Sequence, residues 1–267
     1  MVVVTGAGVS LASGVPTFRG DDPEAVWKND ILEKGTYRYF RDDPVDSWTW
    51  SLRLFGAIHG AKPNAGHHAL DALGAWHRRR GGRFTLVTQN IDGLHRQAAA
   101  DEQSLASIIE VHGRGDRVRC ASDSGCSWGA PSGSMDRQEV DFASFLAEPT
   151  LDRLPRCPSC QDLIRQHVLW FDEFYDGHSD YQWTRVQDAA IDADLVLFVG
   201  TSFAVGVTEL FLHRAFSQGQ STFSIDPSGE VPYPGILQPL AERSEIALPA
   251  IWKALDPAPR EAAPGGS

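Results

Sequence analysis

MVVVTGAGVSLASGVPTFRG, residues 1–20, runs the apolar stretch Val2-Val3-Val4 directly into a glycine-rich turn. A buried strand that ends in glycines is a common way to bring backbone N–H groups against a phosphate. The usual dinucleotide spacing, G-x-G-x-x-G, needs a third glycine at position 11, where this chain has Leu11. The loop also runs on through Pro16, Thr17, Phe18 and Arg19 before the next glycine.

Other strands follow the same pattern. FTLVT (84–88), IIEV (108–111), DLVLFVGT (194–201) and STFSI (221–225) are short, continuous apolar runs, as strands of a parallel sheet covered on both faces should be. Helical spacing lies between them. In residues 65–80, Ala69, Leu70, Leu73 and Trp76 share one side, and Gly81-Gly82 end the pattern. Residues 207–218 repeat the arrangement and stop at Gly219. Strand–helix alternation predicts an α/β, Rossmann-like doubly wound parallel sheet. Residues 1–30, 63–115 and 164–255 should form that discontinuous domain. Residues 31–62, within a Trp- and Tyr-rich stretch, read as a helical insertion, and 116–163 as a cysteine-bearing module. Residues 256–267, DPAPREAAPGGS, have the composition of a disordered tail.

Bulk composition narrows the function. With 24 basic and 35 acidic side chains the formal charge is −11, which argues against direct nucleic-acid binding. Acidity suits a basic protein substrate and suits solubility equally. No apolar run reaches the length of a membrane span, and no basic-then-apolar leader opens the chain, so a cytoplasmic location is expected. Oligomeric state is not readable.

The four cysteines are Cys120, Cys126, Cys157 and Cys160, paired at spacings of five and two intervening residues. The second pair is a zinc-ribbon knuckle, whereas the first is looser than usual. Four thiolates would close a tetrahedral shell, leaving a structural zinc with no position for water. A disulfide pair or unrelated buried thiols are the alternatives.

Polar groups gather at the strand ends. TQNIDGLH (88–95) places Gln89, Asn90, Ile91 and Asp92 after the second strand; the same residues also favour a plain turn. His112 follows the third strand, where it reads equally as a general base or a structural histidine. Gly200, Thr201 and Ser202 end the fourth, and Asp226 the fifth, where a ribose-binding acid belongs. Five such ends on one sheet imply one crevice along its edge.

Taken in order, GAGVSLASGVPTFRG, TQNIDGLH, VHG, the two cysteine pairs, HVLWFDE (167–173), GTSFAV (200–205) and SID (224–226) resemble the sirtuin family, the NAD-dependent protein-lysine deacylases. The resemblance spans roughly residues 2–252. It implies that the first loop wraps NAD as a co-substrate, with Gly6, Ala7, Gly8 and Ser202 near the pyrophosphate and Ser10 also among the cofactor-binding residues. Thr17, Phe18 and Arg19 would close over the nicotinamide end. Gln89 would contact the ribose, while Asn90, Ile91 and Asp92 line the nicotinamide pocket. His112 would act as general base on a ribose hydroxyl, a task suited to an imidazole neutral near pH 7. The substrate would be an acylated lysine in a protein or peptide, added as a strand beside Val168, Leu169, Trp170 and Phe171. Products would be nicotinamide, free lysine and O-acyl-ADP-ribose.

Several positions depart from the family pattern. Thr17 replaces a common Asp and resembles the branch that removes succinyl and malonyl groups. That branch carries a Tyr-x-x-Arg; here Trp50-Ser51-Leu52-Arg53 stands upstream of PNAGH (63–67). Arg53 in an apolar pocket would pair with an acyl carboxylate, and on an exposed helix face it would not. Asp172 replaces a usual Gly, Val207 a common Pro, and Asp226 a usual Asn. Together with the long first cysteine spacing, these mark a divergent, bacterial-type member. NAD hydrolysis, ADP-ribosyl transfer and a non-catalytic NAD sensor are the competing functions.

Overall fold

A computed structural model describes residues 1–16, 31–122, 125–128 and 133–256. Thr17, Phe18 and Arg19, and the tail beyond Asp256, lie outside the described residues. The elements in chain order are β1 (Val2–Thr5), a 3-10 helix (Ala7–Ser13), α1 (Ile31–Lys34), α2 (Tyr37–Asp42), α3 (Pro44–Ile58), α4 (Ala65–Arg79) and β2 (Thr85–Thr88). Next come α5 (Leu94–Ala98), α6 (Glu102–Ala106), β3 (Ile108–Glu110), β4 (Gly113–Cys120), β5 (Met135–Asp136), α7 (Ala143–Ala147) and β6 (Ile164–Val168). The chain closes with α8 (Trp183–Asp192), β7 (Leu195–Val199), α9 (Gly206–Gln218), β8 (Ser221–Ile225), β9 (Leu237–Leu240) and α10 (Ser244–Leu255).

The large sheet has the order β3-β2-β1-β7-β8-β9, all parallel, which is the doubly wound arrangement expected from the sequence. Its central strands alternate between two cores. Val2, Val4, Val196 and Phe198 pack with Val186 and Ala190 of α8 and Phe211 of α9. Val3, Leu197 and Val199 pack on the other face with Ala69 and Leu70 of α4 and Leu248 of α10. A strand buried on both faces has no reason to alternate polar and apolar residues, which is why these runs are continuous. Truncating a side chain as deep as Phe198, fully buried in the sheet, should cost about 3–5 kcal/mol.

β5, β4 and β6 form a small antiparallel sheet. Its core joins Val118, Phe145, Cys157 and Ile164 to Phe40 and Trp48 of the helical segment, and the Trp48 indole donates to the Ile164 carbonyl at 2.8 Å. The chain enters this module just after His112. Gly113 takes a left-handed conformation at φ +76°, and a Cβ there would run into the His167 carbonyl oxygen. A larger residue would therefore disturb the turn that leaves His112 at the sheet edge.

Helix α4 begins at Ala65, as the helical spacing over residues 65–80 predicts. Asn64 caps it, accepting from Gly66 N–H at 2.9 Å, while its amide donates back to the Val9 carbonyl at 2.8 Å and Ser13 Oγ at 3.0 Å. The cap thus ties α4 to the segment following β1. Among the described residues, no helix is long and apolar enough to cross a membrane.

Candidate functional site

The strand order reverses between β1 and β7, and ligands of open α/β sheets bind at such a switch point. There a cavity of about 970 Å³ opens at the carboxyl ends of the parallel strands. Gly6, Ala7 and Gly8 line it after β1, Gln89, Asn90 and Ile91 after β2, and His112 after β3. Gly200, Thr201 and Ser202 follow β7, and Asp226 follows β8. Trp50 of α3 and the Val168–Phe171 segment form the wall toward the small module.

The glycines in the first loop have a local reason. A Cβ on Gly6 would lie 2.7 Å from the Gly200 oxygen, and one on Gly8 would lie 2.7 Å from Gly200 Cα. The loops after β1 and β7 cross in contact, joined by Gly8 N–H to the Gly200 carbonyl at 2.9 Å and Gly6 N–H to the Val199 carbonyl at 3.0 Å. Position 11 is already in the 3-10 helix with its side chain exposed, so this crossing asks nothing of a third glycine.

Gln89 stitches the floor together. Its side-chain amide donates to the Thr5 carbonyl at 3.2 Å and to Thr201 Oγ1 at 3.1 Å. Its own carbonyl accepts from His112 Nδ1 at 2.9 Å. That bond places the proton on Nδ1 and leaves Nε2 as the acceptor. Burial pushes the His112 imidazole down to about 4, against the opposing pull of the Gln89 carbonyl, so the ring is neutral at pH 7.

Asn90 is 3% exposed. Its Nδ2 donates to the Gly6 carbonyl and to Ser10 Oγ, both at 3.1 Å, which leaves Oδ1 buried without a partner among the described residues. A buried amide oxygen at a cavity wall is costly unless a ligand donor completes it. Beneath it, Ser10 Oγ donates to Asp92 Oδ2 at 2.7 Å and accepts from His67 Nε2 at 3.4 Å. Leu94 N–H donates to the other Asp92 oxygen at 2.9 Å. Burial raises the Asp92 carboxyl, and these donors work against the rise.

Ser10 and Asp92, expected at the ligand, are not among the lining residues: Ser10 is fully buried, and Asp92 is half-buried and held by Ser10 and Leu94. The expectation for Arg53 is corrected as well. It lies on the exposed side of α3, three residues from Trp50, while Ser51, Leu54 and Phe55 turn inward. No Lys or Arg is among the described residues that line the cavity.

The strand through HVLWFDE stops at Val168. Beyond it, Leu169 N–H donates to the His112 carbonyl and Phe171 N–H to the Gly35 carbonyl, both at 2.9 Å. Trp170 N–H donates to Glu173 at 3.0 Å. Val168 and Trp170 are buried, and Phe171 is 53% exposed at the cavity rim. Asp172, the departure from glycine, accepts from Tyr37 N–H at 2.6 Å and Arg38 N–H at 3.1 Å, which locks this segment to the start of α2. Burial alone would raise the Glu173 carboxyl, but its paired Arg165 outweighs burial and holds it below the usual range. Arg165 in turn lies 3.7 Å over the Trp170 ring.

The four cysteine sulfurs lie within 4.8 Å of one another, with Cys120–Cys160 at 3.4 Å and Cys126–Cys157 at 3.6 Å. A tetrahedron of ~2.3 Å Zn–S bonds has edges of about 3.8 Å, so the donor set fits a structural zinc. Another grouping, His167, His178 and Asp180, is occupied internally. His167 Nε2 meets Asp180 at 3.1 Å, the Asp180 N–H donates to His178 Nδ1, and Ser134 donates to Asp180.

The Sir2 family profile matches residues 6–207, from the first glycine of the loop to the start of α9. The chain belongs to the Sir2 family. Its curated relatives include an NAD-dependent protein deacylase of Thermus thermophilus, 35% identical over 99% of this chain and 92% of that protein. An NAD-dependent deacetylase, sir2E, of Dictyostelium discoideum is 32% identical over 96% of this chain and 73% of that one. Among solved structures, a Sir2 homologue bound to NAD superposes with a TM-score of 0.74 at 28% identity, covering 95% of this chain and 88% of that one. A Sir2 homologue variant with ADP-ribose gives 0.76 at 28% identity, covering 95% and 90%. The residues of this Sir2 protein fit NAD on their own chemistry. The unpartnered Asn90 oxygen awaits a donor, Gly6, Ala7 and Gly8 line the cavity without a bulky side chain, and the Asp226 carboxylate at its wall offers acceptors for hydroxyls. Sequence reasoning missed Tyr175, which also lines the cavity; it belongs to no motif and sits 63 residues from the histidine it meets.

Proposed function

We propose that this Sir2 protein removes acyl groups from protein lysines at the expense of NAD, releasing nicotinamide, free lysine and O-acyl-ADP-ribose. The observation that carries the reading is His112, a neutral imidazole whose Nδ1 is fixed by Gln89, which leaves Nε2 as the unprotonated, acceptor nitrogen at the cavity wall. A binding module has no need of such a base. NAD, when bound, supplies a glycosidic bond to nicotinamide whose cleavage drives the acyl transfer. The chain's residues do the rest. Asn90 Oδ1 would accept from the bound group, Gly6–Gly8 and Ser202 would border its phosphates, and Asp226 would bond ribose hydroxyls while its charge would repel a 2′-phosphate. His112 takes a hydroxyl proton at Nε2. The apolar wall of Val168, Trp170 and Phe171 excludes water beside the lysine. Cys120, Cys126, Cys157 and Cys160 hold zinc, which clamps the small module and takes no part in the chemistry.

The acyl group is neutral in this reading. Trp50, Leu54, Phe55 and Ile91 offer apolar surface, and Arg53 is outside. No Lys or Arg among the described lining residues offers a partner to a succinyl carboxylate.

Incubation with NAD and a panel of acetyl-, succinyl- and long-chain-acyl peptides, followed by mass spectrometry, tests the proposal. Nicotinamide release should depend on peptide and match lysine freed, with acetyl or longer neutral chains preferred. Release without peptide would indicate NAD hydrolysis, and an ADP-ribose adduct on protein would indicate transferase activity. His112→Ala should abolish turnover and keep NAD binding.

A further inference from the structure

His112 does not face an empty wall. The Tyr175 hydroxyl lies 3.3 Å from Nε2, the ring nitrogen left unprotonated by the Gln89 bond. The same hydroxyl accepts from Val207 N–H in the first turn of α9 at 3.3 Å. With one lone pair given to Val207, its O–H is the donor toward His112. The phenol ring stacks on the imidazole, centroids 5.8 Å apart and planes 26° apart, and on the Trp183 ring at 4.4 Å and 15°. Tyr175 is thus held by α8, by α9 and by the imidazole, and it also lines the cavity.

A neutral imidazole has one acceptor lone pair, and His112 needs it to take a substrate proton. We propose that Tyr175 is a positioning residue that caps Nε2 of His112 until a substrate hydroxyl displaces it. This rests on the reading of His112 as the base. The ring stack aims the imidazole into the cavity. The phenol O–H occupies the lone pair until a ribose hydroxyl takes its place, and only hydrogen bonds are exchanged in that step. In the proton transfer that follows, the hydroxyl O–H bond breaks and the Nε2–H bond forms. The Tyr175 oxygen stays tethered to Val207 throughout.

Tyr175→Phe keeps the ring stack and deletes the cap. Two readouts are needed. The first is NMR titration of the His112 ring nitrogens in the protein without substrate. A donor to Nε2 stabilises the neutral ring, so its loss should raise the His112 pKa by about half a unit to one unit. The charge acting on Tyr175 among the described residues is Glu209 of α9; burial and the Gln89 carbonyl account for His112. The second readout is kcat/KM at pH 8, which should rise about threefold to tenfold as the competing donor disappears. An imidazole that titrates as in the wild type, or a kcat/KM that is unchanged or lower, overturns the proposal. If the variant does not fold, the wild-type Nε2 resonance decides: upfield of an unbonded acceptor nitrogen supports the cap, and the unbonded position overturns it. The NMR arm needs no turnover, so failure of the deacylase reading would show in the peptide assay and not here.

Discussion

Replacing Gly8 with alanine separates two uses of the first loop. If the glycine serves only to let a phosphate approach, the variant should fold as well as the wild type and lose NAD. The crossing with Gly200 demands more. The new methyl would sit 2.7 Å from Gly200 Cα and 2.9 Å from its oxygen, about 1 Å inside normal carbon contact. Both neighbours are backbone, so no side chain can swing away, and Gly200 cannot relax freely because its own Cα faces Val9 N and Gly8. Overpacking of this kind costs about 1–3 kcal/mol. The Gly8–Gly200 hydrogen bond at 2.9 Å is strained at the same time, adding about 1 kcal/mol. A loss of about 2–4 kcal/mol in a chain this long lowers Tm by roughly 5–10 °C. Calorimetry in NAD-free buffer and isothermal titration with NAD measure the two effects independently. Expected is a large drop in Tm together with weakened binding, and Gly200→Ala should behave alike. A Gly8→Ala protein within about 0.5 kcal/mol of wild type would refute the crossing as the reason for the glycine.

Three further outcomes follow from the geometry. Because His112 is neutral down to about pH 4, kcat/KM should hold its plateau to near pH 5 and fall only as pH approaches 4; an acid limb centred at the ordinary imidazole value of about 6.5 would contradict the burial of the ring. His67, fully buried and pushed down to about 4, binds no proton in the folded state between pH 6.5 and 4 while the unfolded chain does, so its share of the stability should be full above 6.5 and decline by about 2–3 kcal/mol by pH 4.5, read as the difference between wild type and His67→Gln in urea denaturation at both pH values. Native mass spectrometry should find one zinc per chain, and chelation should melt the core around Val118, Phe145 and Cys157 at a lower temperature.

The large sheet was legible because burial on both faces leaves strands as unbroken apolar runs. β9 was not: Gln238, Pro239 and Leu240 are exposed, and a proline is tolerated because the strand lies at the sheet edge. β4, GRGDRVRC, escaped notice because its pairing partners are the two-residue β5 and the distant β6. At the site, polar residues at strand ends announced Gln89, Asn90, His112 and Asp226. Depth was beyond sequence reasoning: Ser10 has the right type for a ligand contact but is fully buried. Arg53 failed on helix phase: a residue three positions from Trp50 can fall outside the wall when Ser51, Leu54 and Phe55 define the inward side. Asp172 seemed only a departure from pattern, and its use is a cap on α2 more than a hundred residues earlier in the chain.

The tautomer of His112 is set by the main-chain carbonyl of Gln89, not by a side chain. No substitution at position 89 removes that acceptor; what would remove it is a shift of β2 relative to β3. The register pairing Thr88 with Glu110 therefore sets the imidazole's tautomer, one of the tasks of the carboxylate in a catalytic triad. The Gln89 side chain has a different task, bridging Thr5 and Thr201 across the switch point. Gln89→Ala should accordingly loosen the crossing of the β1 and β7 loops, weaken NAD binding and leave the Nδ1–H tautomer in place. Ring-nitrogen NMR showing the proton moved to Nε2 in that variant would mean that side-chain packing, and not sheet register, holds the base in its working form.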